Sequence, residues 1–152
     1  MLRHIVENYA FEIVETARLI RREANKRAAV LGATKAQWRV LAHLKRRGDG
    51  ARQIDLAESL DVEPITLCRM IDRLEEAGFV ERRRDEHDRR AWRIHLTEAA
   101  APMLAQLEEM GIAFNADMLA GIPQADRETV LRVLGQMRDN LDRNEQGLDI
   151  AS

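Results

Sequence analysis

The chain has 152 residues, of which 45% are hydrophobic and 33% charged, and a formal net charge of −2. That balance fits one globular domain with helical extensions, and with two serines (Ser59, Ser152) and three prolines it excludes a low-complexity or linker-rich protein. No run approaches the roughly 18 apolar residues of a membrane span, so no membrane partner is expected.

The start, MLRHIVENYAFE, carries neither the apolar stretch nor the cleavage site of a secretory signal. The single cysteine, Cys68, excludes an internal disulfide and fits a reducing cytoplasm, which is the expected location. Charge is strongly segregated along the chain. Residues 21–52 hold ten basic and two acidic side chains, whereas residues 98–152 hold ten acidic and four basic ones. An oriented charge distribution of this kind suits a surface facing a polyanion.

In chain order, Val6, Tyr9, Ile13, Ala17, Ile20 and Ala24 have helical spacing and predict a helix over 3–29, ended by Gly32. Thr34 is placed to cap a second helix, KAQWRVLAHLKRR, closed by Gly48, with Trp38, Leu41, Ala42 and Leu44 as its apolar side. Two short helices around a tight turn follow in RQIDLAESLDVEPITLCRMIDRLEEAG. Leu56, Ala57 and Leu60 form one apolar edge and Leu67, Met70, Ile71 and Leu74 the facing one. Val62 fills the turn, Asp61 sits where a left-handed residue is often needed, Pro64 starts the second helix and Gly78 stops it. This is the pattern of a helix-turn-helix.

Between FVERR and AWRIHLT lies RDEHDRR. Trp92, Ile94 and Leu96 alternate with Ala91, Arg93 and His95, the period of a half-buried strand, so the two segments predict a hairpin with a charged tip. A hairpin placed after a helix-turn-helix is a wing. Beyond Thr97, Met103, Leu107, Met110, Phe114 and Met118 mark a long helix whose start Pro102 sets or bends. Gly121 and Pro123 break that helix, and Val130, Leu131, Leu134, Met137 and Leu141 mark a last one. The expected fold is mainly α with a small β-hairpin wing.

Taken together, QIDLAESLDVEPITLCRMIDRLEEAGFVERR and DEHDRRAWRIHLT, with the spacing D-x-x-D-R-R at Asp85–Arg90, resemble the MarR family of winged helix-turn-helix transcriptional regulators along essentially the whole chain. AQWRVL and LTEAAAP are most similar to its SlyA-like branch. Many members have glycine near Ala100, after the last strand, where this chain has alanine, and Cys68 is not at the N-terminal position of the peroxide-sensing members' reactive cysteine. The favoured role of Cys68 is therefore a small semi-buried hydrophobe.

The resemblance implies a homodimer that binds double-stranded DNA at pseudo-palindromic operators, with residues 34–98 as the DNA-binding part and residues 1–31 and 99–145 as the helical dimerisation part. Ile13, Ile20, Leu107, Phe114, Leu134 and Leu141 are expected to be buried within and between the chains. On the recognition helix, Leu67, Ile71 and Leu74 face the core, leaving Ile65, Thr66, Arg69 and Arg73 outward. Arginine reads guanine O6 and N7, and threonine touches a thymine methyl or a phosphate. Arg73 has a competing partner in Glu76.

From the wing strands, Arg82, Arg83 and Arg93 are expected at phosphates, where each neutralised charge releases counterions. Asp88 is expected to orient a neighbouring arginine through charged hydrogen bonds. The resemblance assigns Arg89 and Arg90 to DNA contact and to bracing the wing. Members of this type often lose DNA affinity when small aromatic carboxylates bind between the dimer helices and the winged domain. Arg18, Arg21, Thr34 and Trp38 match by position the salicylate-contacting region of the SlyA-like branch.

An enzyme is not expected, because no HExxH, phosphate-cradling glycine loop or nucleophile elbow occurs. No cofactor or metal is expected either. The histidines lack cysteine partners, and His87 with Asp85 and Asp88 makes only a short hydrated acidic loop. The rival reading is a winged-helix protein-docking module without DNA binding, against which the arginine-rich wing argues.

Overall fold

A computed structural model of the chain describes residues 8–149, with side chains through residue 145. The expected helix start at residue 3 and its apolar position Val6 lie outside the described residues. In order come helices α1 (Tyr9–Val30) and α2 (Lys35–Arg47), strand β1 (Ala51–Arg52), helices α3 (Gln53–Ser59) and α4 (Pro64–Glu76), and strands β2 (Val80–Arg84) and β3 (Trp92–Leu96). A 3-10 turn (Glu98–Ala100) leads into helices α5 (Ala101–Met118) and α6 (Gln124–Asp149).

Local chemistry explains the helix ends. Asn8 caps α1, its side chain accepting from the Phe11 N–H at 3.0 Å. At α2, the Thr34 hydroxyl accepts from the Gln37 N–H at 3.1 Å and the Gln37 side chain accepts from the Thr34 N–H at 3.0 Å, a reciprocal capping box. Asp61 turns between α3 and α4 with φ 52°, and Pro64 opens α4, where its missing N–H costs least.

The chain forms two compact units, one through Ile112 and one from Ala113, so the division falls inside α5. In the first, Leu41 and Leu44 of α2, Leu56 and Ala57 of α3, Leu67, Ile71 and Leu74 of α4, Ile94 of β3 and Leu107 of α5 form one buried cluster. Met103, Leu104 and Met110 pack against it, so the first turns of α5 belong to this core. On α2 the buried stripe is Val40, Leu41 and Leu44, whereas Ala42, expected inside, is exposed because it points to the opposite side of the helix.

The sheet has three strands in the order β1-β3-β2, all antiparallel. β1 was not expected from the sequence. Its two residues pair with Ile94 and Arg93 and tie the start of α3 to the wing. The preceding Gly50 has φ +80°, a conformation that favours glycine, and a Cβ there would lie 2.8 Å from the His95 ring, which would have to shift. Ala100 is fully buried between β3 and α5, which places its methyl in the core.

In the second unit, Gly121 turns with φ 77° and Arg127 secures the turn, donating to the carbonyls of Ile122 (2.8 Å) and Leu119 (2.9 Å). On α6, Leu134 and Met137 are half-buried while Val130, Leu131 and Leu141 are exposed. On α1, Tyr9, Phe11, Ile13 and Val14 are likewise exposed.

Candidate nucleic-acid interface

Burial of Leu67, Ile71 and Leu74 fixes the rotation of α4 and turns Ile65, Thr66, Arg69 and Arg73 outward. Among the described residues neither the Arg69 nor the Arg73 side chain has a hydrogen bond or ion pair. The pair considered between Arg73 and Glu76 is not formed.

The wing tip is organised by Asp85, the one charged side chain in the buried class among the described residues, at 3% exposure. Its Oδ1 accepts from the N–H groups of His87 (2.9 Å) and Asp88 (3.1 Å). Its Oδ2 meets Arg93 Nε at 2.6 Å and Arg52 Nε at 3.3 Å. The His87 N–H, with the Arg93 guanidinium and the Asp88 N–H, outweighs burial and lowers the Asp85 pKa to about 2. One carboxylate thus joins the tip turn, β3 and the start of α3.

Two arginines expected at phosphates have partners within the protein. Arg93 is held by Asp85 and donates to the Gly50 carbonyl at 2.9 Å. Arg82 is only 14% exposed and reaches Asp72 (2.7 Å), Glu75 (3.2 Å), Gln53 Oε1 (3.1 Å) and the Cys68 carbonyl (3.1 Å). Burial works against its charge, yet Asp72 and Glu75 prevail and hold its pKa above the ordinary arginine value. Arg82 therefore braces β2 against α3 and α4. Its guanidinium also lies 3.7 Å from the Cys68 sulfur, on the half-buried flank of α4.

Arg83 is exposed but paired with Glu81. Asp88, expected to orient a guanidinium, accepts the Arg90 backbone N–H at 3.0 Å and so shapes the turn, while Asp85 does the arginine pairing. Arg89 and Arg90 are exposed, with no side-chain partner among the described residues.

Sequence reasoning missed three contributors. Arg84 lies over the Trp92 ring at 4.0 Å and donates to the Arg89 carbonyl at 2.6 Å, stiffening the tip. Arg52 joins Asp85. A crevice of about 330 Å³ separates the starts of α3 and α4 from the wing, lined by Ile54, Pro64, Arg90 and Trp92 among others. An acid between arginine runs was the available signal for Asp85, whereas the Arg84 stack required strand register.

The four residues expected to take an effector occupy α1 and the start of α2. Trp38 is half-buried against the core, and its indole N–H donates to Asn25 Oδ1 at 2.8 Å. The Thr34 hydroxyl serves the helix cap. Arg18 turns to Glu15 at 3.0 Å, which lowers that carboxyl's pKa. Arg21 is exposed, and burial, followed by the charge of Arg21, lowers the Arg39 pKa.

Among the described residues no group of three or more metal-ligating side chains occurs, and no helix is long and apolar enough to cross a membrane. Residues 33–92 match the model of the MarR family. Among solved structures, the transcriptional regulator PA3341 is 35% identical with a TM-score of 0.81, the match covering 90% of this chain and 99% of that one. A MarR transcriptional regulator from Methanosarcina mazei Go1 is 26% identical (TM-score 0.75; 86% and 94% covered). The transcriptional regulator SlyA is also 26% identical (TM-score 0.75; 90% and 96% covered).

Proposed function

The chain belongs to the MarR family of transcriptional regulators, and from that membership we propose that it binds pseudo-palindromic operators in double-stranded DNA as a homodimer. The observation that carries this reading is the set of unpaired guanidinium groups on two neighbouring elements, Arg69 and Arg73 on the recognition helix and Arg89 and Arg90 on the wing. The helix would lie in the major groove, and the wing tip would deliver arginine to the minor groove, where narrow A·T-rich sequence concentrates negative potential. Each phosphate neutralised adds about 0.9 to the salt slope of binding. Thr66 joins the groove face, and Arg83 contributes if DNA draws it from Glu81.

In this reading residues 34–98 bind DNA, while residues 1–31 and 99–145 supply the dimer surface. Exposed Phe11, Ile13 and Val14 on α1 and Val130, Leu131 and Leu141 on α6 support it, because apolar stripes of this length call for a partner surface. Leu107 is already covered in the core, and Ile20, Phe114 and Leu134 are half-buried, which leaves Ile13 and Leu141 for the interface. Light scattering at micromolar concentration together with gel shifts on genomic fragments tests the proposal. A dimeric mass and preferential retention of some fragments are expected, and a protein-docking module would show no fragment preference.

We further propose an effector of small aromatic carboxylate type at the α1–α2 junction, with Arg21 as its cation and Trp38 as its aromatic wall. Thr34 offers its hydroxyl proton, and Arg18 takes part only by leaving Glu15. An effector must also bind the two protomer arrangements unequally to act. Titrating salicylate into a Trp92→Phe protein while following Trp38 fluorescence and DNA binding tests both requirements. No response at millimolar salicylate refutes the site, and binding that leaves DNA affinity unchanged refutes the switch.

A further inference from the structure

The recognition helix exposes one large apolar side chain that neither the core nor the charge pattern explains. Ile65 is the second residue of α4 and is 63% exposed, while Leu67, Ile71 and Leu74 take the buried side. β-Branched residues are middling helix formers, so helix propensity gives no reason for isoleucine at an exposed first turn. Its neighbours on the outward face are Thr66, Arg69 and Arg73.

That company decides what can cover it. A second copy docking by the same patch would bring unpaired guanidinium groups face to face. A polyanion suits the arginines, and the floor of the DNA major groove presents one apolar group, the thymine C5 methyl.

We infer that Ile65 is a specificity-determining residue that packs on a thymine methyl in the major groove. The inference rests on the DNA-binding reading above and names a base that it reads. Ile65 and Arg69 are four residues apart, hence neighbours on one helix face about 6 Å apart along the axis. Successive base pairs are about 3.4 Å apart. The thymine therefore lies within about two base-pair steps of the group that Arg69 contacts.

The test uses the full chain and a duplex selected from a random-sequence pool for retention by it. Each thymine of that duplex is replaced in turn by deoxyuridine, which removes only the methyl. One thymine per half-site is expected to be sensitive, with affinity falling about fourfold for each methyl lost from contact and roughly fifteenfold when both half-sites are changed. Ile65→Ser should bind thymine and uracil duplexes equally. Arg69→Ala should keep the wild-type difference, at lower overall affinity.

Uracil tolerance at every position, or a methyl effect that persists in Ile65→Ser, overturns the inference while leaving DNA binding intact. A pool yielding no preferred sequence overturns the DNA reading and this inference with it. Loss of binding to a co-purifying protein in Ile65→Ser, with the thymine preference unchanged, assigns the patch to that protein and also overturns the inference.

Discussion

Replacing Arg82 with alanine separates a bracing arginine from a phosphate-contacting one. The substitution removes contacts to Asp72 at 2.7 Å, Glu75 at 3.2 Å, Gln53 at 3.1 Å and the Cys68 carbonyl at 3.1 Å. Asp72 and Glu75 are 54% and 43% exposed, so both carboxylates rehydrate and each ion pair contributes at most about 1 kcal/mol. The part-buried bonds to Gln53 and Cys68 come from a charged donor and contribute about 1.5 kcal/mol each at the low end of the usual range. The expected loss is thus about 3–5 kcal/mol, or a fall in Tm of roughly 6–20 °C for a chain of this size. Thermal unfolding by circular dichroism reads the stability, and DNA titrations at several salt concentrations, well below the Tm, read the number of phosphate contacts. The salt slope should match wild type. An unchanged Tm with a slope lower by about one would return Arg82 to the phosphate backbone and refute the bracing role.

The wing should behave oppositely: Arg89→Ala with Arg90→Ala is expected to keep the wild-type Tm and lower the salt slope by roughly one per lost contact, and wild-type binding at all salt concentrations would remove the wing from the interface. Asp85 has its pKa depressed from 3.8 to about 2, so its contribution to stability is complete above about pH 4 and is lost as pH falls through 2. Urea titrations of wild type and Asp85→Asn should accordingly diverge at pH 5 and converge toward pH 2, whereas a pH-independent gap contradicts the charged role. Gly50→Ala forces a methyl to 2.8 Å from the His95 ring at φ +80° and should cost about 1–3 kcal/mol by chemical denaturation. A neutral result would mean that the β1–β3 junction yields freely.

Much of the fold was legible because its signals are local and periodic. Apolar spacing set the buried faces of α3 and α4, and Thr34, Asp61, Pro64 and Gly78 each marked an element end, Thr34 by its hydroxyl and the others by their backbone chemistry. β1 was invisible, since two residues show no alternation and their strand state comes from pairing with Ile94 and Arg93. The rotation of α2 was misjudged at Ala42 because alanine suits either side, and α3 and α4 decide which side is covered.

At the candidate interface the sequence located the arginine cluster but not the division of labour within it. Arg82 and Arg83 are adjacent, and strand alternation sends one inward to Asp72 and Glu75 and the other outward to Glu81. Arg93 is tied to Asp85 across the hairpin, a pairing set by register. Charge counting alone treats all six arginines of residues 82–93 alike.

The central claim is that two copies of this chain present recognition helix and wing to one DNA site. Sequencing the duplexes that the purified full chain retains from a random pool tests it most directly. The account predicts an enriched inverted repeat with half-site centres about one helical turn, or a multiple of it, apart. Retention without sequence preference, or a single motif with no inverted partner, would contradict it.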